Sequence, residues 1–228
     1  MSSATPVRRI RPLRGSMTNL LLRDLRLTEF SDKLAEKSPT PGGGSVAAHL
    51  CEMGAALGCM AMRFTSGPKF ATVEAAMAGR VEELERIRSR GLQLIDEDSR
   101  AYELVMAGYR LPKTTDAEKA TRSAAIQAGM LVAIEVPAET LALAARALVL
   151  LAEGAPAINP NVASDCASGG WCLHGAAEAA FLNVKINAAS LSDKAAGGAR
   201  LRTCEEALRA ARASAESLRA SIAKHLSA

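Results

Sequence analysis

The chain has 228 residues, enough to bury a sizeable core, and its wealth of alanine and leucine with only 3% aromatics and no β-branched runs favours packed helices over sheets. Its formal charge of +4 is concentrated at one end: five of the 28 bases (Arg8, Arg9, Arg11, Arg14, Arg23) precede the first acid, Asp24, leaving 23 bases against 24 acids. A near-neutral body argues against a nucleic-acid surface.

Residues 1–27 read as a basic leader, acid-free up to Arg23 and punctuated by Pro6, Pro12 and Gly15. Such a segment resembles an organelle presequence or a disordered arm, and Met17 offers a later start codon. No apolar core of a secretory signal is present. The most apolar helix holds His49, Glu52 and Arg63, so no segment is expected to cross a membrane. Residues 28–228 read as one all-α domain, a bundle of six to eight helices with one long central helix.

Thr28 caps a short first helix to about Lys37, where Ser38-Pro39-Thr40-Pro41-Gly42-Gly43-Gly44-Ser45 interrupts the chain. Prolines stop one helix, glycines permit unusual backbone, and Ser45 is a good N-cap for the next. The free N–H groups of that new helix form a cradle for an anion, a carboxylate or a carbonyl oxygen; a plain capped turn is the alternative. The nucleotide-loop patterns Gly-x-x-x-x-Gly-Lys-Ser/Thr and Gly-x-Gly-x-x-Gly are absent from this run.

The second helix runs from Ser45 to about Thr65, with small residues at a density that implies close helix contacts. A long amphipathic helix follows from about Ala71 to Tyr109, and its apolar stripe, stepped by three and four, passes from Ile95 through Asp98 to Tyr102. A carboxylate on that stripe must pair, become protonated or line a wet cavity; Arg122 and Arg146 are the candidate ion-pair partners. Lys113, held in a turn after Pro112, is either a carboxylate partner or a solvated helix-end cation.

Thr115 or Asp116 caps a helix to about Glu135, where Val136-Pro137 kinks or restarts it, and the next helix ends near Gly154. The Gly154–Asn161 stretch is a loop. From Val162 to Asn187 one helix face carries Asp165, Gly169, Cys172, Ala176, Asn183 and Asn187, small in the middle and polar at its ends, as suits a cavity wall or an internally satisfied helix contact. Asp193 caps a last helix to about His225. The five cysteines form no Cys-x-x-Cys pair and read as buried thiols of a reducing cytoplasm, and the three separated histidines make a zinc site improbable.

Taken together, Pro39 to Ala48, Met53 to Gly58, Asp98 to Tyr102 with Val105-Met106-Ala107, Tyr109 to Lys113, Thr115 to Lys119, Asn161 with Ser164-Asp165, and Leu182-Asn183-Val184 with Asn187 resemble the cyclodeaminase/cyclohydrolase family of folate enzymes. The likeness covers nearly everything from residue 28 onward. It implies an all-helical homodimer acting on tetrahydrofolate one-carbon units, with no metal or other cofactor, no nucleic acid and no membrane. The expected activity is hydrolysis of 5,10-methenyltetrahydrofolate; cyclodeamination of the 5-formimino compound and a non-catalytic folate-binding or scaffold role are the alternatives. Asp165 is the expected general base, with Asp98 either sharing the task or stabilising the cation, and Lys113 orienting the ligand or protonating the leaving nitrogen. Pro41, Gly42, Gly43, Gly44 and Ser45 with Asn161, Asn183 and Asn187 are the expected substrate-binding residues. His49 and Glu52 depart from the family pattern, as does the stretch Phe64 to Phe70, which lacks its usual basic cluster.

Overall fold

The computed structural model describes residues 21–227, so most of the basic leader lies outside the described residues. Six α-helices follow one another: α1 (Leu27–Ala35), α2 (Gly43–Arg63), α3 (Glu74–Arg110), α4 (Asp116–Gly154), α5 (Ala163–Ala189) and α6 (Lys194–Leu226). Short 3-10 turns precede α1 and α3 and separate α4 from α5. Among the described residues there is no strand, in line with the composition.

The core lies where α2, α3, α4 and α5 meet, and α6 packs over α4 and α5 from outside. Helix α2 is the hub. Its Gly54 sits against Gly169 and Leu173 of α5, where a methyl group on Gly54 would come within 2.6 Å of the Leu173 side chain. The same two helices meet at Gly43 with Asn183 and at Leu50 with Gly175, so they run antiparallel. The small residues that signalled close helix contacts in the sequence therefore occupy the α2/α5 seam. Outside the core, Arg90 of α3 grips Glu139 of α4 at 2.7 Å, and Arg146 of α4 returns to Glu83 of α3 at 2.6 Å.

Three expectations are corrected. Pro137 does not restart a helix: α4 is continuous over 39 residues with Pro137 buried inside it. Ser45 is not the cap of α2, which begins two residues earlier with Gly42 as its N-cap. Helices α2 and α4, with mean hydropathies of 1.3 and 1.5 over their most apolar windows, are long and apolar enough to cross a membrane by length and composition. Roughly half of each window is nevertheless buried inside the bundle, 56% and 50%, as in the core helices of a folded domain.

Candidate active site

The N-terminus of α2, the middle of α3, the first half of α4 and the C-terminal half of α5 enclose a cavity of about 260 Å³. Its wall has two characters. Gly42, Gly43 and Gly44, Asp98, Asn183 and Asn187 supply polar groups, while Ala101, Val105, Met130 and Ala133 supply an apolar side, with Tyr102 between them.

Asp98 is the charged centre of this wall. Its carboxylate rests on the first turn of α2, so close to Gly44 that a Cβ at that position would overlap it. That requirement, rather than backbone freedom, explains the glycines. The one left-handed glycine among the described residues is Gly67; Gly43 and Gly44 are helical and Gly42 is extended. Ser45, fully buried, donates from its hydroxyl to Asp98 Oδ2 at 2.9 Å, with Ile95 O at 3.1 Å and Ser99 Oγ at 3.3 Å also in reach. A hydroxyl carries one proton, so an ionised Asp98 takes that proton and Ser99 donates to the oxygen left behind.

Burial pushes the Asp98 carboxyl above the ordinary carboxylate range, against the opposing pull of the Ser45 side-chain and backbone hydrogen bonds. Among the described residues no cation offsets the burial. The expected arginine partners are engaged elsewhere: Arg146 pairs with Glu83, and Arg122 donates to Tyr109 O and stacks over the Tyr109 ring. The anion predicted for the α2 cradle is thus the protein's own side chain, held at the positive end of the helix dipole.

The two wall asparagines differ. Asn183 Nδ2 bonds the carbonyl of Ala179 in its own helix at 2.9 Å, whereas Asn187 Nδ2 crosses to Ala133 O of α4 at 2.6 Å. Ala133 O is the carbonyl that residue 137 would pair with in an unbroken α-helix, and Pro137 has no N–H to give. Asn187 therefore mends the proline gap in α4 and forms part of the cavity wall at the same time.

The other expected site residues are not brought to this cavity within one chain. Pro41 is buried behind the loop, while its neighbours Pro39 and Thr40 reach the wall. Lys113 lies in the exposed turn between α3 and α4 and does not line the cavity. Asp165 is in the first turn of α5 and Asn161 in the turn before it, at the opposite end of α5 from Asn183. The separation from Asp165 to Asn183 is 18 residues, about 27 Å of helix. Sequence reading missed Tyr102 as a wall residue, although it stands one turn beyond Asp98 on the same stripe. Buried Asp96 was also missed: it accepts from the backbone N–H of Leu22 at 2.6 Å, lies 3.5 Å from Arg23, and so ties the segment before α1 onto α3.

Among the described residues, no three histidine, cysteine or acidic side chains gather as a metal-ligand set. The half-buried Asp98 carboxyl, its pKa raised by its surroundings, can take a proton from a polar reactant and return it, against a wall that is apolar on one side.

Comparison with known proteins adds the chemical context. The profile of the formiminotransferase-cyclodeaminase family matches residues 26–217. A methenyltetrahydrofolate cyclohydrolase of Methylorubrum extorquens is 38% identical over 177 residues, which are 77% of this chain and 85% of that protein. The formimidoyltransferase-cyclodeaminase of Gallus gallus is 34% identical over 173 residues, 74% of this chain but only 31% of the longer bird protein. The crystal structure of formiminotetrahydrofolate cyclodeaminase from Thermotoga maritima superposes with a TM-score of 0.74 at 29% identity, covering 90% of this chain and 98% of that one.

Proposed function

The chain belongs to the formiminotransferase-cyclodeaminase family, and from that premise we propose that it hydrolyses 5,10-methenyltetrahydrofolate to 10-formyltetrahydrofolate. The observation that carries the proposal is Asp98, a half-buried carboxylate with no cationic partner among the described residues, in the wall of a cavity whose opposite side is apolar. The substrate carbon shares a positive charge with two nitrogens and is electrophilic without metal or redox help. The cavity takes the fused ring system, leaving the benzoylglutamate tail to run over the rim.

In the proposed step Asp98 removes a proton from water as its oxygen bonds to the bridging carbon, giving a neutral tetrahedral adduct. The bond from that carbon to the 5-nitrogen then breaks as the nitrogen takes the proton held by Asp98, and the adduct's hydroxyl gives up its own proton to become the carbonyl of the formyl group on the 10-nitrogen. One proton is released for each water consumed. A nearby carboxylate also stabilises the cationic ground state, so its advantage in rate comes from proton transfer and positioning rather than from charge alone. Gly42 and Gly43 offer backbone, and the Asn183 carbonyl oxygen an acceptor, to the ring edge. Lys113, Asn161 and Asp165 keep the ligand-facing roles assigned to them from sequence only if something brings them to the cavity.

A second reading has its own support in the Thermotoga maritima structure: closure of the 5-formimino compound with loss of ammonia, which uses the same carbon and the same acid–base group. A homodimer in a reducing cytoplasm, working without a cofactor, completes the proposal; the free cysteines agree with that compartment.

The test follows the methenyl absorbance band with purified protein. Protein-dependent loss of the band is expected, and Asp98→Asn should slow it by roughly 10²–10⁴-fold while the helical circular-dichroism signal stays the same. Loss of the band that is equally fast in Asp98→Asn would remove Asp98 from the mechanism. Failure to accelerate hydrolysis, with appearance of the band from the 5-formimino compound, would select the second reading.

A further inference from the structure

The stretch from Leu22 to Pro41 crosses the bundle as a strap held at few points. Among the described residues α1 buries no side chain: of its apolar stripe Leu27, Phe30 and Leu34, the two leucines are 77% and 39% exposed. Phe30 reaches the body, its ring edge meeting the His49 ring of α2 at 5.5 Å. Between strap and body lies a gap of about 120 Å³, with Leu22, Leu25 and Leu27 on one side and His49, Leu92 and Ile95 on the other. The two helices beneath are drawn together much more tightly. Gly91 of α3 rests on Ala48 and Glu52 of α2 with little room for a Cβ. A segment with few buried apolar contacts opens at lower free energy than the core it lies on.

The firm attachment of the strap is Asp96, the one charged side chain that is buried among the described residues. Its Oδ1 accepts from the backbone N–H of Leu22 at 2.6 Å, and its Oδ2, which has no hydrogen bond of its own, faces Arg23 Nε at 3.5 Å. Burying a carboxylate is costly unless it is paired, so the acid and the strap each depend on the other. Two residues along a helix turn through about 200°, which sends Asp96 and Asp98 to opposite sides of α3. One turn of that helix therefore carries two acids with separate duties. Asp98 faces the cavity, and Asp96 holds the strap. At its far end the strap becomes cavity wall, through Pro39 and Thr40, before Gly42 caps α2. Glu36 and Gly42, at the two ends of the connection from α1 to α2, are both extended.

We infer that residues 22–41 are a hinged strap latched by Asp96, and that this latch sets the position of the cavity wall at Pro39 and Thr40. Asp96 is then a positioning residue that governs ligand entry and release without touching the ligand. The inference rests on the proposed function for what enters the cavity, but not for the latch. With the hydrogen bond to a charged acceptor in place, the strap is seated and the wall is closed. With the latch undone, the strap swings about the connection to α2 and carries Pro39 and Thr40 with it, while Ser45 and Asp98 keep their contact.

The experiment compares the full chain with Asp96→Ala and Asp96→Asn. In the first arm amide hydrogen exchange is followed by mass spectrometry without ligand. In the unaltered chain the α1 amides should exchange faster than those of α2 to α5. Asp96→Ala should speed exchange in residues 22–41 by on the order of 10–100-fold, the scale of a lost hydrogen bond to a charged group, and leave the core helices as they were. Asp96→Asn keeps an acceptor for Leu22 and loses the charge that faces Arg23, so it should fall between. Amides of α1 as slow as those of α2 in the unaltered chain, whatever covers them, overturn the inference. Exchange that is unchanged in both variants, or faster throughout the bundle in both, does the same.

The second arm measures methenyl hydrolysis. In Asp96→Asn the KM should rise by roughly three- to tenfold with kcat held or raised, since a loosened strap admits and releases ligand without altering the reacting groups. The acidic limb of the pH profile should stay in place, because Ser45 and Asp98 are intact. An unchanged KM overturns the gating role. A limb that moves shows Asp96 acting on Asp98 through the α3 turn rather than on the strap, and overturns it too. If exchange responds as expected but the unaltered protein transforms neither folate, the latch stands and the functional reading falls.

Discussion

At the scale of single residues, the site is organised by one contact, that of Asp98 with the first turn of α2. Ser45 supplies a hydroxyl proton and a backbone hydrogen bond to this carboxylate, and both favour its ionised form. Burial favours the neutral form and prevails. Ser45→Ala deletes the hydroxyl contribution, so the Asp98 pKa should rise further and the carboxylate should be lost at higher pH. If the ionised form is the base, the acidic limb of the activity profile moves to higher pH in Ser45→Ala while the plateau rate changes less. An unmoved limb would show that Asp98 does not control it. Thiol chemistry does not compete here: burial pushes Cys51 and Cys166 up to about 12, and they stay protonated at neutral pH.

At the scale of helices, the repaired proline in α4 joins fold and site. Removing the Asn187 amide leaves the Ala133 carbonyl without a partner beside the cavity. Asn187→Ala should therefore cost about 1–3 kcal/mol in denaturant unfolding. Adding Pro137→Ala returns an N–H to that carbonyl, and the double variant should recover part of the loss. Equal losses in the single and double variants would disconnect the two residues. This also shows what was legible in the sequence and what was not. The Thr115 cap with its reciprocal Glu118 follows from local pattern and is present. A proline interior to a helix reads as a break because nothing local shows a side chain 50 residues later taking the freed carbonyl. Helical period placed Asp98 and Asn183 correctly on inward faces, since face is a local property. It also placed Asp165 on Asn183's line, but period fixes direction and not distance, and five turns separate them.

At the scale of the whole molecule, an all-helical bundle was legible because the chain is rich in alanine and leucine and the stripes recur at helical steps. Which helix face remains uncovered was not legible, since a half-exposed seam and a buried one have the same spacing. Among the described residues, the seam of Leu50, Met53 and Leu57 on α2, beside Trp171, Leu182 and Ile186 of α5, is only half-covered or exposed, and under the proposed homodimer its pairing would contribute to stability. The melting temperature should rise with protein concentration, by on the order of 1–2 °C per tenfold change for a dimer of this size. Met53→Asp, which puts a charge in the centre of the seam, should abolish that dependence; a melting temperature independent of concentration in the unaltered protein would mean that the face stays solvated. The carboxylate seated on α2 has a consequence for what the protein attracts from solution. A glycine-rich turn leading into a helix ordinarily collects phosphate or sulfate, but here that receptor comes already loaded, its guest bonded to the chain at Asp98. Its sign as a receptor is thereby reversed: inorganic oxyanions find no vacancy at the helix end, and what the cavity offers an approaching solute is a counter-ion for a delocalised cation.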